Sequence, residues 1–452
     1  QRRFNINSGY STPRMNWVIP ITFATASSPD FQNTKPTHII KESVTVIQRG
    51  SIGQEWVIFN KQQTGFYRVN YDDYTWDLIT KVLRSPQRTQ IDKYNRAQIV
   101  DDVFQFARSG LLTYTKAFNI LSFLRYETEY TAWMAAINGF NWIRNRVVGT
   151  SIEQDLNRLF IEWASELMKD LKYEPGENES FMKSYLRYQM APVMCRLGVQ
   201  ECVQSAHLQF QELMSSTSKE VPVDSRNWVY CTALRSGDMA AFEFLLKRFK
   251  EHNVYNEKIQ ILSTLGCTTN RNALFKFLDL IVKDNYVIRR QDYTTAFNAA
   301  VTGNDGNAQL VFDYIKQADN LQAVAKAFNS MITPLSQISA RLRSEQEVNE
   351  FRQWAIENQA DLGSNFQSIY NGAGTYLDSF DWVISVQDDM EAYIDTGDIP
   401  VTSSTVAPTT EPYVERFTAA AISEPATPDF PDSANTLAVS VLSLLAVALH
   451  FV

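Results

Sequence analysis

The sequence predicts a mostly α-helical protein with a small β-rich region at its N-terminal end, chiefly because the hydrophobic period changes near residue 72. Upstream of that point, apolar residues alternate with polar ones in short runs such as 17–23 and 56–60, as in β-strands. Downstream, apolar residues recur every three or four positions, as in 152–171, which is the spacing of one helix face. At 452 residues the chain also exceeds what one compact core usually holds, so we expect more than one domain.

The first 71 residues are expected to form a small β-sandwich. Proline separates the short apolar runs, and proline is confined to sheet edges and turns because it has no N–H to donate. The prolines concerned are Pro13, Pro20, Pro29 and Pro36. The predicted strands are 2–6, 17–23, 44–47, 56–60 and 65–72.

Residues 72–395 are predicted to form one helical domain of the HEAT or armadillo kind. Helices such as 238–250, 272–283 and 320–331 recur with short polar links, although no strict repeat is present. Paired helices over so long a stretch favour a curved superhelix with a concave face over a globular bundle. Glycine can take the left-handed conformation that ends a helix, and three dipeptides are placed accordingly: Ser109-Gly110, Ser236-Gly237 and Thr302-Gly303.

Two motifs carry a resemblance to a known family. They are Gly65-Phe66-Tyr67-Arg68-Val69-Asn70-Tyr71-Asp72, followed by Trp76, and Asn95-Arg96-Ala97-Gln98-Ile99-Val100-Asp101-Asp102. This pair resembles the junction between the small β-domain and the C-terminal helical domain of aminopeptidase N-like zinc aminopeptidases, the gluzincins. The resemblance covers roughly residues 1–395 and is greatest to the lipid-anchored enzymes of the insect midgut. It implies that the catalytic domain precedes this chain.

The chain itself is expected to contain no catalytic and no metal-binding residue. A zinc aminopeptidase needs His-Glu-x-x-His, in which two histidines one turn apart hold the metal and the glutamate activates water. The histidines are His38, His207, His252 and His450; no two are four apart and none precedes a glutamate. The Gly-x-Met-Glu-Asn stretch that binds the substrate amino terminus in the family is also absent. The zinc cofactor is therefore expected in the missing catalytic domain, and this chain should be inactive alone.

Other charged groups are interpreted structurally. The acidic pairs Asp72-Asp73, Asp101-Asp102 and Asp388-Asp389 are predicted to cap helices rather than act as acids and bases. Arg289-Arg290 is interpreted as surface charge, with contact to the carboxyl end of a peptide as the alternative. A net charge of −8, with basic residues spread along the chain, argues against nucleic acid as a partner.

Four cysteines, Cys195, Cys202, Cys231 and Cys267, allow three disulfide pairings. A metal site is disfavoured because no close cysteine pair has histidines nearby, and free thiols are the other alternative. The resemblance implies the pairs Cys195–Cys202 and Cys231–Cys267, and disulfides imply an oxidising compartment. Asn178, in Asn178-Glu179-Ser180, is the predicted N-glycosylation site of such a secreted protein.

The C-terminal end changes composition twice. Residues 396–432 are rich in Thr, Ser and Pro and are predicted to be a disordered stalk, either O-glycosylated or an unmodified linker. Residues 433–452 are predicted to be a glycosylphosphatidylinositol attachment signal, with Ser433 as the candidate anchor residue. Because the polar spacer after Ser433 is short, Asp432 or a residue further upstream is the alternative anchor site. As a helix the last sixteen residues would span roughly 24 Å, short of the roughly 30 Å hydrocarbon core. A short transmembrane anchor and an incidental apolar end are the alternatives.

Together these features predict the non-catalytic C-terminal portion of a zinc aminopeptidase that removes amino-terminal residues from peptides. The helical domain would support and close the active site, and the lipid anchor would place it on the extracellular face of the plasma membrane. Its expected partners are the peptide substrate, the membrane and, through the resemblance, a bacterial insecticidal toxin. A homodimer is left open. The alternative is a catalytically inactive surface receptor that binds a protein or peptide on its concave face.

Overall fold

The computed structural model describes residues 1–400 apart from a few short segments. The residues outside the description are 8, 12–14, 48–54, 217–218, 284–285, 375–376 and 401–452. Most of the predicted stalk, the whole predicted anchor signal and Ser433 therefore lie outside the described residues. The described part is mostly helical, as predicted. Within it, every helix is too short or too polar to cross a lipid bilayer.

Short antiparallel strands occupy the N-terminal region. They are β1 (Arg3–Asn5), β2 (Gly9–Ser11), β3 (Ile19–Ile21), β4 (Phe23–Thr25), β5 (His38–Ile40) and β6 (Val57–Phe59). Each strand has one partner: β1 pairs with β2, β3 with β5, and β4 with β6. These ladders account for the predicted strands at 2–6, 17–23 and 56–60, while the sandwich stays a prediction. The predicted strand at 44–47 is wrong, since the chain there is irregular and leaves Val44 and Val46 largely exposed.

The predicted strand at 65–72 is also wrong. Side chains, not a neighbouring strand, satisfy this segment's backbone: Asn60 accepts from Gly65 N at 2.7 Å, and Asp102 accepts from Val69 N at 3.0 Å. Trp76 Nε1 also donates to Asn70 Oδ1 at 3.0 Å. The alternating residues therefore reflect packing against helices rather than membership of a sheet.

The helices follow residue 72 in close succession. They are α1 (Asp73–Leu83), α2 (Lys93–Arg108), α3 (Tyr114–Leu121), α4 (Tyr130–Val147), α5 (Glu153–Leu171), α6 (Phe181–Arg196), α7 (Gln200–Ser215), α8 (Arg226–Arg235), α9 (Met239–Glu251), α10 (Tyr255–Leu265), α11 (Arg271–Val282), α12 (Tyr293–Thr302), α13 (Asn307–Ile315), α14 (Ala318–Phe328), α15 (Ile332–Ser339), α16 (Glu345–Glu357), α17 (Gln359–Leu362), α18 (Phe366–Gly374) and α19 (Leu377–Thr396).

Alternate helices contact one another in series. From α4 the contacts run to α6, α8, α10, α12 and α15, and the intervening helices α7, α9 and α11 pack on members of that series. The last helix, α19, returns to α3, α4 and α5. Its C-terminal end is held there, since Asp398 pairs with Arg125 at 3.0 Å and Asn119 accepts from Ile399 N at 2.9 Å. The packed structure therefore extends a few residues past the predicted boundary at 395.

The acidic pairs have three different roles. Asp72 caps α1 as predicted, accepting from Thr75 N at 2.7 Å. Asp101 and Asp102 lie in the middle of α2 and pair with Arg68, so their predicted capping role is wrong. Asp389 does cap a helix, but from within α19: it accepts from the first N–H groups of α3, hundreds of residues earlier in the chain.

Glycine ends two of the three helices that it was predicted to end. Gly110 and Gly237 have φ angles of +75° and follow α2 and α8. Gly303, after α12, is instead right-handed, with φ −62°. A Cβ atom at this position would collide with the carbonyl oxygen of Gly266, at the end of α10. Gly303 is therefore required by the close approach of two backbones.

Candidate functional site

All four cysteines are bonded, in the pairing that the resemblance implies. Cys195 of α6 is joined to Cys202 of α7, and Cys231 of α8 is joined to Cys267, just beyond α10. Each bond thus ties consecutive or alternate helices of the series together. Disulfide sulfurs carry no thiolate to offer a metal, so these residues cannot act as ligands in this state.

Asn178 lies on an exposed turn between α5 and α6 and has a left-handed φ of +58°. Asparagine tolerates that conformation better than most residues. The next residue, Glu179, is bound to Arg187 of α6. The predicted glycosylation site is therefore accessible, and its occupancy stays a prediction.

The described histidines lie on three separate elements. His38 is in β5, His207 in α7, and His252 directly follows α9. Across residues 1–400, apart from the short undescribed segments, no three His, Cys, Asp or Glu side chains converge closely enough to hold a metal ion. Arg289 and Arg290 are exposed, and Arg289 lies over the Tyr255 ring at 4.9 Å.

A charged cluster that sequence reasoning missed lies where the alternate helices end. Its centre is Asp305, in the link between α12 and α13. Arg144 pairs with it through both carboxylate oxygens, at 3.4 and 2.8 Å. Arg196 and Arg343 reach its Oδ1 at 2.6 and 3.1 Å. We call these residues, together with Arg235, the arginine hub.

Arg235 reaches the same link without an ion pair to any of the described residues. Its Nε donates to Asn304 Oδ1 at 3.1 Å and its second amino group donates to Gly303 O at 3.4 Å. Burial, together with the nearby charges of Arg196 and Arg144, lowers the pKa of Arg235 to about 10, although Asp305 opposes this effect. The guanidinium therefore remains charged at neutral pH.

Helix ends explain why so many arginines gather around one aspartate. Arg144, Arg196 and Arg235 occupy the last turns of α4, α6 and α8. The C-terminal end of a helix carries roughly half a negative charge, so each arginine compensates its own helix. Glu153 adds a carboxylate 3.6 Å from Arg144. These negative charges offset part, but not all, of the positive charge of the hub arginines.

Asp305 is the member that holds these helix ends together. Burial alone would raise its pKa, but the hydrogen bonds and charges of Arg144 and Arg196 hold that pKa well below its usual range. It remains ionised at every physiological pH and is unsuited to proton transfer. The geometry supports a structural tie among α4, α6 and the link before α13, rather than a catalytic group.

Part of the hub could be predicted from the sequence, namely its arginines. An arginine in the last turn of each of three helices is visible in the sequence, and Arg196 directly follows Cys195. The partner, Asp305, is more than a hundred residues further along the chain, and nothing in its local sequence distinguishes it. Only the order in which the helices pack brings these residues together.

Comparison with known proteins shows to which family this chain belongs. Residues 56–372 match the family described as the ERAP1-like C-terminal domain. The chain belongs to this family. The match begins within the predicted β-domain, and the predicted boundary between residues 71 and 72 stays a prediction.

Several relatives are insect enzymes by name. A membrane alanyl aminopeptidase of Heliothis virescens is 54% identical over 407 residues, which are 90% of this chain and 40% of that protein. A membrane alanyl aminopeptidase of Manduca sexta is 37% identical over 98% of this chain and 45% of its own length. An aminopeptidase N of Plutella xylostella is 28% identical over 78% of this chain and 38% of its own. The resemblance to aminopeptidase N-like proteins is confirmed, and the chain spans roughly two-fifths of these relatives.

Proposed function

We propose that this chain is the C-terminal, non-catalytic part of a cell-surface zinc aminopeptidase that removes amino-terminal residues from peptides. The observation that carries the proposal is the match of residues 56–372 to the ERAP1-like C-terminal domain, together with relatives named membrane alanyl aminopeptidases. The two disulfides support passage through an oxidising secretory compartment. The whole enzyme is expected to be about twice the length of this chain.

The catalytic zinc does not fit the residues described here. Their cysteines are bonded and their histidines lie on separate elements. Zinc in a hydrolase needs three protein ligands and an open position for water, so its ligands would come from outside this chain. The helical part would then supply a rigid frame that supports and closes the active site. The serial contacts of α4, α6, α8, α10 and α12 support its being a HEAT-like superhelix.

Activity measurements on two proteins test the enzyme proposal. The full-length protein should hydrolyse an alanyl anilide and should lose that activity to a zinc chelator, whereas residues 1–400 alone should show none. A full-length sequence without His-Glu-x-x-His, or one that is inactive with zinc present, would contradict the proposal. The alternative, a catalytically inactive surface receptor, would then be favoured.

Membrane attachment is proposed to occur through a glycosylphosphatidylinositol anchor on Ser433 or a neighbouring residue. The support is the apolar C-terminal end after small residues and a Thr-, Ser- and Pro-rich stretch. Phosphatidylinositol-specific phospholipase C should release the protein from cells. Retention after that treatment, with release only by detergent, would indicate a membrane-spanning end instead.

A bacterial insecticidal toxin is proposed as a further partner, on the strength of the resemblance to insect midgut aminopeptidases. Purified full-length protein should bind such a toxin on a sensor surface. Binding should persist when the zinc is chelated if the toxin recognises surface features rather than the active site. Absence of binding to a panel of toxins would remove this partner without affecting the enzyme proposal.

A further inference from the structure

The start of α6 presents a row of aromatic rings to solvent directly after the Asn178 turn. Phe181 is 74% exposed and Met182 is 47% exposed. The Phe181 ring stacks on Tyr185 with centroids 5.6 Å apart, and Tyr185 stacks on Tyr130 of α4 at 5.2 Å. The aromatic row, Phe181, Tyr185 and Tyr130, is thus anchored at one end and open at Phe181. A contiguous exposed apolar surface can mark a site of interaction.

The turn that precedes the aromatic row is firmly held. Arg187 is only 2% exposed and donates to Glu179 Oε2 at 2.6 Å and to Leu171 O at 2.7 Å. The pKa of Glu179 is lowered to about 2, chiefly by the hydrogen bond from Arg187, which outweighs the raising effect of burial. Glu179 also accepts from Gly176 N at 3.2 Å. Asn178 is therefore presented from a fixed position, one residue before this anchor.

The spacing places Phe181 within reach of any group carried by Asn178. Phe181 is the third residue after Asn178, so the Cα atoms of the two are at most about 10 Å apart. Asn178 is exposed and begins an Asn-x-Ser triplet, the acceptor for N-linked sugars. The C–H faces of a pyranose ring are apolar and match the face of an aromatic side chain. A sugar attached to Asn178 would thus start beside the aromatic row, and its apolar faces would suit the rings.

We propose that an N-glycan on Asn178 packs its first sugar residues against Phe181 and Met182 and so covers the open end of the aromatic row. In its attachment, Asn178 Nδ2 bonds to the anomeric carbon of a lipid-linked diphosphate oligosaccharide, the lipid diphosphate leaves, and the amide loses one proton. The inference rests on the secretory route in the proposed function, but not on aminopeptidase activity.

The chain allows glycan loss to be separated from damage to α6. Ser180 is both the third residue of the triplet and the N-cap of α6, where its side chain accepts from Lys183 N. Ser180→Asp removes the acceptor triplet and keeps a capping residue, while Ser180→Thr keeps both. Asn178→Gly removes the sugar and suits the positive φ. Phe181→Ser keeps the triplet and removes the ring, and Ile356→Ser, at an exposed apolar position of α16, is the matched control.

The experiment uses the full-length protein produced in insect cells. Glycopeptide mass spectrometry measures occupancy of Asn178, and peptide N-glycosidase measures how fast the sugar is released from the native protein. We expect release from Phe181→Ser to be about threefold or more faster than from wild type, the size expected for loss of one aromatic contact. Release from Ile356→Ser should match wild type, and all denatured proteins should release sugar equally fast.

Hydrogen exchange supplies the second measurement. Asn178→Gly and Ser180→Asp should both increase exchange over the first turns of α6, while Ser180→Thr should not. An unoccupied Asn178 in wild type, or equal release rates from wild type and Phe181→Ser, would overturn the inference. So would concentration-dependent dimerisation that Phe181→Ser abolishes, because a second copy would then cover the row. Full activity of an unglycosylated variant would leave the proposed function standing while the other readouts decide this inference.

Discussion

The arginine hub and the junction before α1 both hold a link against neighbouring helices through ion pairs, but the roles of the acidic and basic groups are exchanged. At the hub, one carboxylate, Asp305, serves Arg144, Arg196 and Arg343. At the junction, one guanidinium, that of Arg68, lies 2.6 Å from both Asp101 and Asp102. Each arrangement fastens a link between elements to the helices beside it. The charges in excess are positive at the hub and negative at the junction.

The difference follows from where along a helix the charges lie. The hub arginines occupy C-terminal turns, where the helix itself offers negative partial charge. Asp102 lies in the middle of α2, where no helix end compensates it. Burial raises the pKa of Asp102 to about 6, against the opposing effects of Arg68 and Val69 N–H. Asp305, in contrast, has a pKa well below its usual range. Contact with arginine therefore favours the ionised carboxyl at both sites, but it outweighs burial only at Asp305.

Both disulfide bonds lie beside the hub and neither lies at the junction. Removal of the Cys231–Cys267 bond should have the largest effect on stability. Cys231 lies one turn before Arg235, and Cys267 follows Gly266 directly, so their bond ties the two helices that approach the Gly303 link. Replacing both cysteines with serine should reduce the free energy of unfolding by about 4 kcal/mol, because the bond closes a long loop in the unfolded chain. Differential scanning calorimetry should show the loss as a lowered Tm.

The second disulfide gives the internal control for that prediction. Cys195 and Cys202 are only seven residues apart, so their removal should cost less, about 2.5 kcal/mol by the same relation. Hydrogen exchange should increase around α8 and α10 in the first variant while the junction on α2 stays protected. Equal losses from the two variants would show that loop closure is not the main contribution.

Replacing the central carboxylate should have the next largest effect. Asp305→Asn leaves Arg144, which is only 5% exposed, without its closest counter-ion. Breaking a buried pair by removal of one partner typically costs about 3–5 kcal/mol, and since Asp305 is about one-third exposed we expect about 3 kcal/mol. Urea unfolding at pH 7, followed by tryptophan fluorescence, measures the change.

The matched replacement at the junction is Asp101→Asn. Asp101 is more exposed than Asp102, and Arg68 keeps Asp102 as a partner. The loss should be under about 1 kcal/mol, as for a solvent-screened ion pair. If Asp101→Asn were as costly as Asp305→Asn, the contrast between a hub at helix ends and a junction at mid-helix would not hold.

The sequence revealed local features better than distant ones. Helices α9, α11 and α14 were predicted within about three residues of their observed ends, because their apolar period and flanking polar links are local signals. The segment 65–72 misled because alternation is also produced when a chain packs on helices, with its N–H groups bound by Asn60 and Asp102. The hub was missed since its members are scattered from residue 144 to residue 343.

The backbones of Gly303 and Gly266 approach closely beside the hub, so a side chain added there should have a third, smaller effect on stability. A methyl group at Gly303 would collide with the Gly266 carbonyl, and neither main chain can move without disturbing Arg235 and Asn304, which bond the same link. Gly303→Ala should cost about 2 kcal/mol, as overpacking of a rigid site does. Gly306→Ala, three residues later and with open space around it, should change stability by less than about 0.5 kcal/mol. Thermal unfolding of the pair decides between local crowding and a general effect on the link.

The smallest expected effect is a pH dependence of stability, which should have opposite signs for Asp102 and Asp305. In the folded chain Asp102 takes up a proton near pH 6, whereas an unfolded aspartate does so near pH 4. The folded state therefore binds more protons between these values, and the Asp102 contribution to stability weakens as pH rises through that window. Wild type should gain on the order of 1–2 kcal/mol over Asp102→Asn as pH falls from 7 to 4.

Asp305 should behave in the opposite way in the same titration. Its folded pKa is depressed, so its contribution is present above the unfolded pKa of about 4 and is lost as pH falls further. The stability difference between wild type and Asp305→Asn should thus shrink below pH 4, whereas the difference between wild type and Asp102→Asn grows toward it. Urea unfolding at pH 7, 5.5, 4 and 3 measures both slopes. Parallel slopes would mean that position along a helix does not determine how these two carboxylates titrate.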